Sequence, residues 1–371
     1  MTSADGGSWA RASDWYGTGW GAGAKAGVGR GMGAGMARPE RTIRCMPTTR
    51  EEVRFRAGEI TLAGTLVLPE RAETERLPWA LLLPSWLPRT RDGSWDRERH
   101  PSWFAPDRDS PGLLARLADA LAERGVASLR YDPRGCGTSD GTWEASDLFA
   151  RIDDARDAIG AMRSRRELDL RRTAIAAHGE GALLALSIAI GDPAIGAVGL
   201  IGPPARSFRD VLRRGASYRA LTGTDRQHPV VRCLDRLAEE LIERVERHER
   251  EMTIVVAGKE VTLNLASWEQ AFHTPVVALA TMLHRNVVIA HGTRDAWADA
   301  DESRLLEEVL RLAGNEPVLQ LVEGGDHDLA EASEALDAFA DALSARIEAR
   351  ELPPVLVAIE GMNAPTLDSG A

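Results

Sequence analysis

RRTAIAAHGEGALLALSIAIG, residues 171–191, is the stretch on which the fold turns. Its TAIAA portion is a short run of small and branched apolar residues suited to a buried strand. HGEG then supplies a tight turn. ALLALSIAI is apolar on every side, so a helix there must be covered on all faces. A strand that passes through a sharp turn into a buried helix is the building unit of a layered α/β protein.

The same alternation continues outward. Toward the N-terminus, VRFRAG and ITLAGTLVLP (Val53–Pro69) predict an antiparallel hairpin, and WALLLPSW (Trp79–Trp86) is a near-continuous apolar run suited to a buried strand. PGLLARLADALAERG (Pro111–Gly125) repeats apolar residues at spacings of three and four between an opening Pro and a closing Gly. That pattern predicts an amphipathic helix. VASLRYD (Val126–Asp132) predicts the next strand, and residues 146–164 the next helix.

Toward the C-terminus, AVGLIGPP extends the sheet, while VVIAHGTRD (Val287–Asp295) and PVLQLVEGGDHD (Pro317–Asp328) predict strands ending in polar loops. Helices are expected over Asp301–Ala313 and Leu329–Arg350. The whole predicts a mostly parallel central sheet flanked by helices, with chemistry at the loops that leave the carboxyl ends of its strands.

Residues 205–285 interrupt this rhythm. A helical pattern carrying Leu234, Leu237, Leu241 and Val245 precedes a strand-like pair, TIVVAGKEVTLNL. An inserted cap is expected there, between core segments 46–204 and 286–371. Residues 1–45 form a third region: 11 of the 35 glycines fall within residues 1–36, and such a segment buries too little apolar area to offset its chain entropy. A disordered tail is expected. Trp9, Trp15 and Trp20 would suit an interaction tail, but a start placed too early, with Met32, Met36 or Met46 as initiator, is the preferred reading.

The 371 residues carry 45 Lys and Arg against 56 Asp and Glu, a net charge of −11. An acidic surface without a basic stripe repels phosphate backbones, so no nucleic-acid partner is expected. Cys45, Cys136 and Cys233 are far apart and lack a CxxC spacing, which predicts neither a disulfide framework nor a zinc site and fits a reducing, cytoplasmic setting. Asp192 and Pro193 split the most hydrophobic region, Ala182–Gly202, so no membrane span is expected, and no secretory signal is visible. Neither a P-loop nor a GxGxxG opens the sheet, which predicts no nucleotide or other cofactor.

Three motifs sit on this frame: RYDPRGCGTSDG (Arg130–Gly141), AHGEG (Ala177–Gly181), and the loop pair HGTRD and GGDHD. Together with the order of elements they resemble the α/β-hydrolase family of serine esterases and peptidases, over roughly Val53–Arg350. The resemblance implies that Asp295 is the orienting acid and His327 the general base, in the chain order nucleophile, acid, histidine. It places AHGEG at the nucleophile elbow. The central position there is Gly179, so the serine of the family's GxSxG is absent and no Oγ attacks an acyl carbon from that position. The elbow holds its central residue at positive φ, which glycine adopts freely, so the change should relax the backbone.

By the same resemblance, the backbone N–H groups of Glu180 and Trp86 form the oxyanion hole. PSW stands where many relatives have HG, and the Trp86 ring is expected to line or to block an apolar pocket. Neither Cys136, in a turn after a different strand, nor Ser85, where backbone donation is expected, is taken to replace the missing hydroxyl. Asp299, Asp301, Asp326 and Asp328 crowd the same loops; as solvated carboxylates they need no ion, and no metal is expected. His291 is expected to be a buried structural group.

The function implied is that of an α/β-hydrolase-like protein acting on or binding a small acyl or ester molecule, with Asp295 and His327 activating water or a substrate proton. Two alternatives stay open. One is a catalytically silent homologue, a pseudoenzyme that binds a ligand or a protein under its cap. The other is a serine esterase inactivated by a serine-to-glycine change.

Overall fold

The computed structural model describes residues 48–70, 75–100, 112–214, 229–256 and 259–347. The tail expected over residues 1–45 lies outside them.

Strands β1 (Thr48–Ala57) and β2 (Ile60–Pro69) form the expected hairpin, pairing antiparallel with Thr48 opposite Pro69 and Ala57 opposite Ile60. There follow β3 (Leu77–Leu83), α1 (Leu113–Ala122), β4 (Ala127–Tyr131), α2 (Leu148–Met162), β5 (Leu168–His178), α3 (Gly181–Gly191) and β6 (Ile195–Ile201). After the interruption come β9 (Asn286–Gly292), α7 (Ala300–Leu312), β10 (Val318–Val322) and α8 (Ser333–Ser344). The eight-stranded sheet runs β1-β2-β4-β3-β5-β6-β9-β10. Its first two strands are antiparallel to their neighbours, and from β4 to β10 all pairs are parallel.

Because side chains alternate across a strand, the continuous apolar runs serve both faces of the sheet at once. In β3, Leu81 and Leu83 join the core that also holds Ile152 of α2, Leu183 of α3 and Leu306 of α7. Ala80 and Leu82 face the opposite core, with Leu117 of α1 and Phe339 of α8. The result is a helix–sheet–helix sandwich in which every loop leaving a parallel strand emerges at one edge.

Between β6 and β9 lie a helical stretch at 208–214, α4 (Pro229–Glu246), the two-stranded antiparallel sheet of β7 (Glu251–Val256) and β8 (Lys259–Asn264), α5 (Leu265–His273) and α6 (Val276–Ala280). Leu241 and Val245 are buried with Met252, Leu263 and Phe272 in the first core. The side chains of Leu234 and Leu237 lie outside the described residues. No helix among the described residues is long and apolar enough to cross a membrane.

The last helix departs from its expected span. It begins at Ser333 rather than Leu329, because Leu329 takes φ 47°, a left-handed conformation that no helix interior accommodates.

Candidate active site

The turn between β5 and α3 places Gly179 at φ 53°, the positive value expected of an elbow. Its N–H donates to the Ile201 carbonyl at 2.8 Å, which fixes the turn against β6. A Cβ at this position would stand 3.2 Å from His327 Nε2 and 3.0 Å from Ser85 Oγ.

Asp295 follows β9 and His327 follows β10, and backbone bonds lash the two loops together: Thr293 N–H to Val322 O and Arg294 N–H to Gly325 O, both 2.9 Å. Asp295 is buried. Its Oδ1 accepts the N–H groups of Trp297 and Ala298 at 2.7 and 3.0 Å. Its Oδ2 accepts His327 Nδ1–H at 2.6 Å. Burial alone would raise the Asp295 pKa, but the His327 charge and the His327 and His291 hydrogen bonds hold it well below the usual carboxylate range.

His327 answers in the opposite sense. Burial disfavours its charged form, yet Asp295 reverses this and raises the pKa above the ordinary imidazole value, with Asp328 and Glu180 adding to the effect. With Nδ1 committed to Asp295, Nε2 is the basic atom, and it is the one that faces Gly179. The structure thus brings Gly179, Asp295 and His327 to one point, as the motif reading expects.

His291 is buried, as expected, and also does more. Its ring bonds to Ser303 Oγ at 2.6 Å and to Ala298 O at 3.0 Å, and its Nε2 lies 3.2 Å from Asp295 Oδ2, so it braces the acid from behind. His178 is the residue that sequence reasoning missed. Fully buried beside the elbow, it donates Nε2–H to His327 O at 3.1 Å, with ring centroids 4.3 Å apart. Desolvation keeps it neutral far below the ordinary value. Its position directly before Gly179, at the end of a buried strand, was the available signal.

The loop after β3 closes the other side. Ser85 Oγ donates to Glu180 Oε2 at 2.6 Å. Arg89, 1% exposed, pairs with Asp328 at 2.8 Å beneath the Trp95 ring and so pins the His327 loop. Among the described residues, the backbone N–H of neither Trp86 nor Glu180 is engaged in a hydrogen bond.

The other loop carboxylates have partners of their own. Asp326 caps Ala330 N–H, Asp299 caps Asp301 N–H, and Asp301 pairs with Arg304. The group among the described residues whose donor atoms lie within 4.8 Å of one another is Asp96, His100 and Cys136, away from these loops. There Asp96 accepts Gly137 N–H and His100 bonds to Gly135 O, which explains both without an ion.

A cleft opens beside the elbow, lined by Trp86, Leu183, Phe208 and Trp268, with Glu180 and Arg206 as its charged members. Trp86 therefore lines the apolar pocket. Arg206 is neutralised by the buried Glu302, whose Oε2 also accepts the N–H groups of Ala205 and Arg206 at 3.0 Å each.

Comparison with known proteins agrees with this fold. The family model described as serine aminopeptidase, S33, matches residues 108–334, more than half of the chain. Among solved structures, esterase Est1E of Butyrivibrio proteoclasticus with bound ferulic acid is 18% identical, with TM-score 0.56 over 80% of this chain and 99% of that one. The α/β-hydrolase GrgF of Penicillium sp. sh18 is 17% identical, with TM-score 0.52 over 81% and 99%. The acylaminoacyl peptidase of Pyrococcus horikoshii is 12% identical, with TM-score 0.54 over 84% of this chain and 44% of that one. No curated protein sequence matches. At these identities the solved structures speak for the fold, and the family match supplies the rest: the chain belongs to the serine aminopeptidase S33 family and has the α/β-hydrolase fold.

Proposed function

We propose that this protein hydrolyses a small ester or acyl compound bound in the cleft beside Gly179. The observation that carries the reading is the 2.6 Å bond from His327 Nδ1 to a buried, ionised Asp295, which leaves a basic Nε2 3.2 Å from the place a side chain at residue 179 would begin. A base oriented in this way takes a proton from an oxygen nucleophile, water or a hydroxyl, delivered above the elbow. The unengaged N–H groups of Trp86 and Glu180 then receive the oxyanion. We read residues 205–285 as a cap whose Phe208 and Trp268 wall the acyl pocket. Est1E, of the same fold, holds ferulic acid, an aromatic acid, which accords with so aromatic a lining.

The experiment is turnover of p-nitrophenyl esters by the full chain and by His327→Ala. Loss of about 10³-fold or more in kcat on removing the imidazole is the expected result. Equal rates in the two proteins contradict the reading. A second reading, a ligand-binding module without turnover, is favoured by one observation, the glycine at residue 179 itself. It predicts saturable binding of aromatic acids with no ester cleavage in either protein.

A further inference from the structure

The hydroxyl missing from residue 179 has a counterpart across the elbow. Ser85 Oγ stands 3.0 Å, and Ser85 Cβ 3.3 Å, from where a Cβ on residue 179 would be, and His327 Nε2 lies 3.2 Å from the same point. Ser85 and His327 therefore flank one small volume, and both are buried. The backbone brings them there: the loop after β3 presses on the start of α3 so closely that a Cβ at Gly181 would meet Pro84 O at 2.7 Å. Contacts of 3.0 to 3.3 Å are shorter than ordinary carbon packing, so a serine at residue 179 fits only if Ser85 gives way by a few tenths of an ångström.

We propose that Ser85 is the nucleophile of this site, its hydroxyl transposed from the elbow to the loop after β3. This rests on the ester-directed reading above. The acceptor for its proton is in place, because Ser85 Oγ donates to Glu180 Oε2 at 2.6 Å, the length of an O–H bond to a carboxylate. Trp86 directly follows Ser85, and its backbone N–H, engaged by no other group among the described residues, is the donor we assign to the oxyanion of this attack.

The reaction balances with water alone. Ser85 Oγ forms a bond to the ester carbon while its proton passes to Glu180; the bond to the alcohol oxygen breaks, and the alcohol leaves with that proton. Water then attacks the acyl carbon and gives a proton to His327 Nε2. The Oγ–acyl bond breaks, the carboxylic acid departs, and Ser85 recovers its proton from the imidazolium.

The test is covalent labelling of the full chain with a fluorophosphonate, in which Oγ attacks phosphorus and fluoride leaves, followed by peptide mass mapping. The parent should gain one adduct on the peptide bearing Ser85, and Ser85→Gly should lose it. The double exchange Ser85→Gly with Gly179→Ser should label at residue 179, and Gly179→Ser alone should label there more slowly, because Ser85 crowds it. A parent that carries no adduct at Ser85 overturns the proposal, whatever the double exchange does. The double exchange separates the two readings. With the parent unlabelled, labelling of the double exchange at residue 179 keeps the ester-directed reading while Ser85 fails, and a folded but unlabelled double exchange then removes both.

Discussion

Gly179 sits at φ 53°, a backbone conformation that costs an L residue about 1–2 kcal/mol. A serine there would also press on Ser85, so Gly179→Ser is expected to lower stability by about 1–3 kcal/mol in urea unfolding; a clearly more stable serine form contradicts the relaxed elbow. In the proposed reaction Asp295 acts only through its hydrogen bond to His327 Nδ1. Asp295→Asn keeps the shape but loses the charge that selects the Nδ1–H tautomer, and kcat on p-nitrophenyl esters should fall by about 10³- to 10⁴-fold with KM little changed. A large KM effect instead would make Asp295 a binding residue. At this scale the sequence was readable only in part. Asp295 and His327 each follow a strand in a motif, so their places beside the elbow were legible. The positions of Ser85 and His178 depend on how two loops and a helix pack, and no local spacing encodes that.

Among the elements, α7 has a second duty besides covering the sheet. Its buried Glu302 accepts the N–H groups of Ala205 and Arg206 and pairs with the Arg206 side chain, tethering the start of the segment that walls the cleft. Glu302→Ala strands two N–H groups, of which the one on Ala205 is fully buried, at about 1–3 kcal/mol for a buried donor left unpaired. The expected kinetic signature is a rise in KM that exceeds the fall in kcat, because Phe208 and Arg206 lose their footing while His327 keeps its own. The strands and most helices were legible because burial on both faces demands continuous apolar runs in β3, β5 and β6. The start of α8 was not, since DLAEASEAL reads as helix from Leu329 onward and only the turn at that residue, set by tertiary contacts, delays it.

The molecule as a whole holds two adjacent imidazoles with opposite tendencies. His178 has its folded pKa depressed, so the unfolded chain binds the extra proton first, and stability falls as pH drops below the ordinary imidazole value of about 6.5. His327 has its folded pKa raised; its contribution is complete below about pH 6.5 and is lost as pH rises through the folded value. Asp295, depressed, contributes above about pH 3.9 and loses that contribution on further acidification. Urea midpoints should therefore decline between about pH 6.5 and 5, and His178→Asn should flatten that decline; an unchanged slope contradicts the neutral, buried assignment. The central claim, an imidazole base oriented by a buried carboxylate, is tested most directly by the pH dependence of kcat for a p-nitrophenyl ester, which reports the step in which His327 Nε2 takes a proton from water. The parent should gain activity through an inflection above about pH 6.5, and Asp295→Asn should move that inflection downward. A flat profile, or an inflection that stays in place without the carboxylate, contradicts the account.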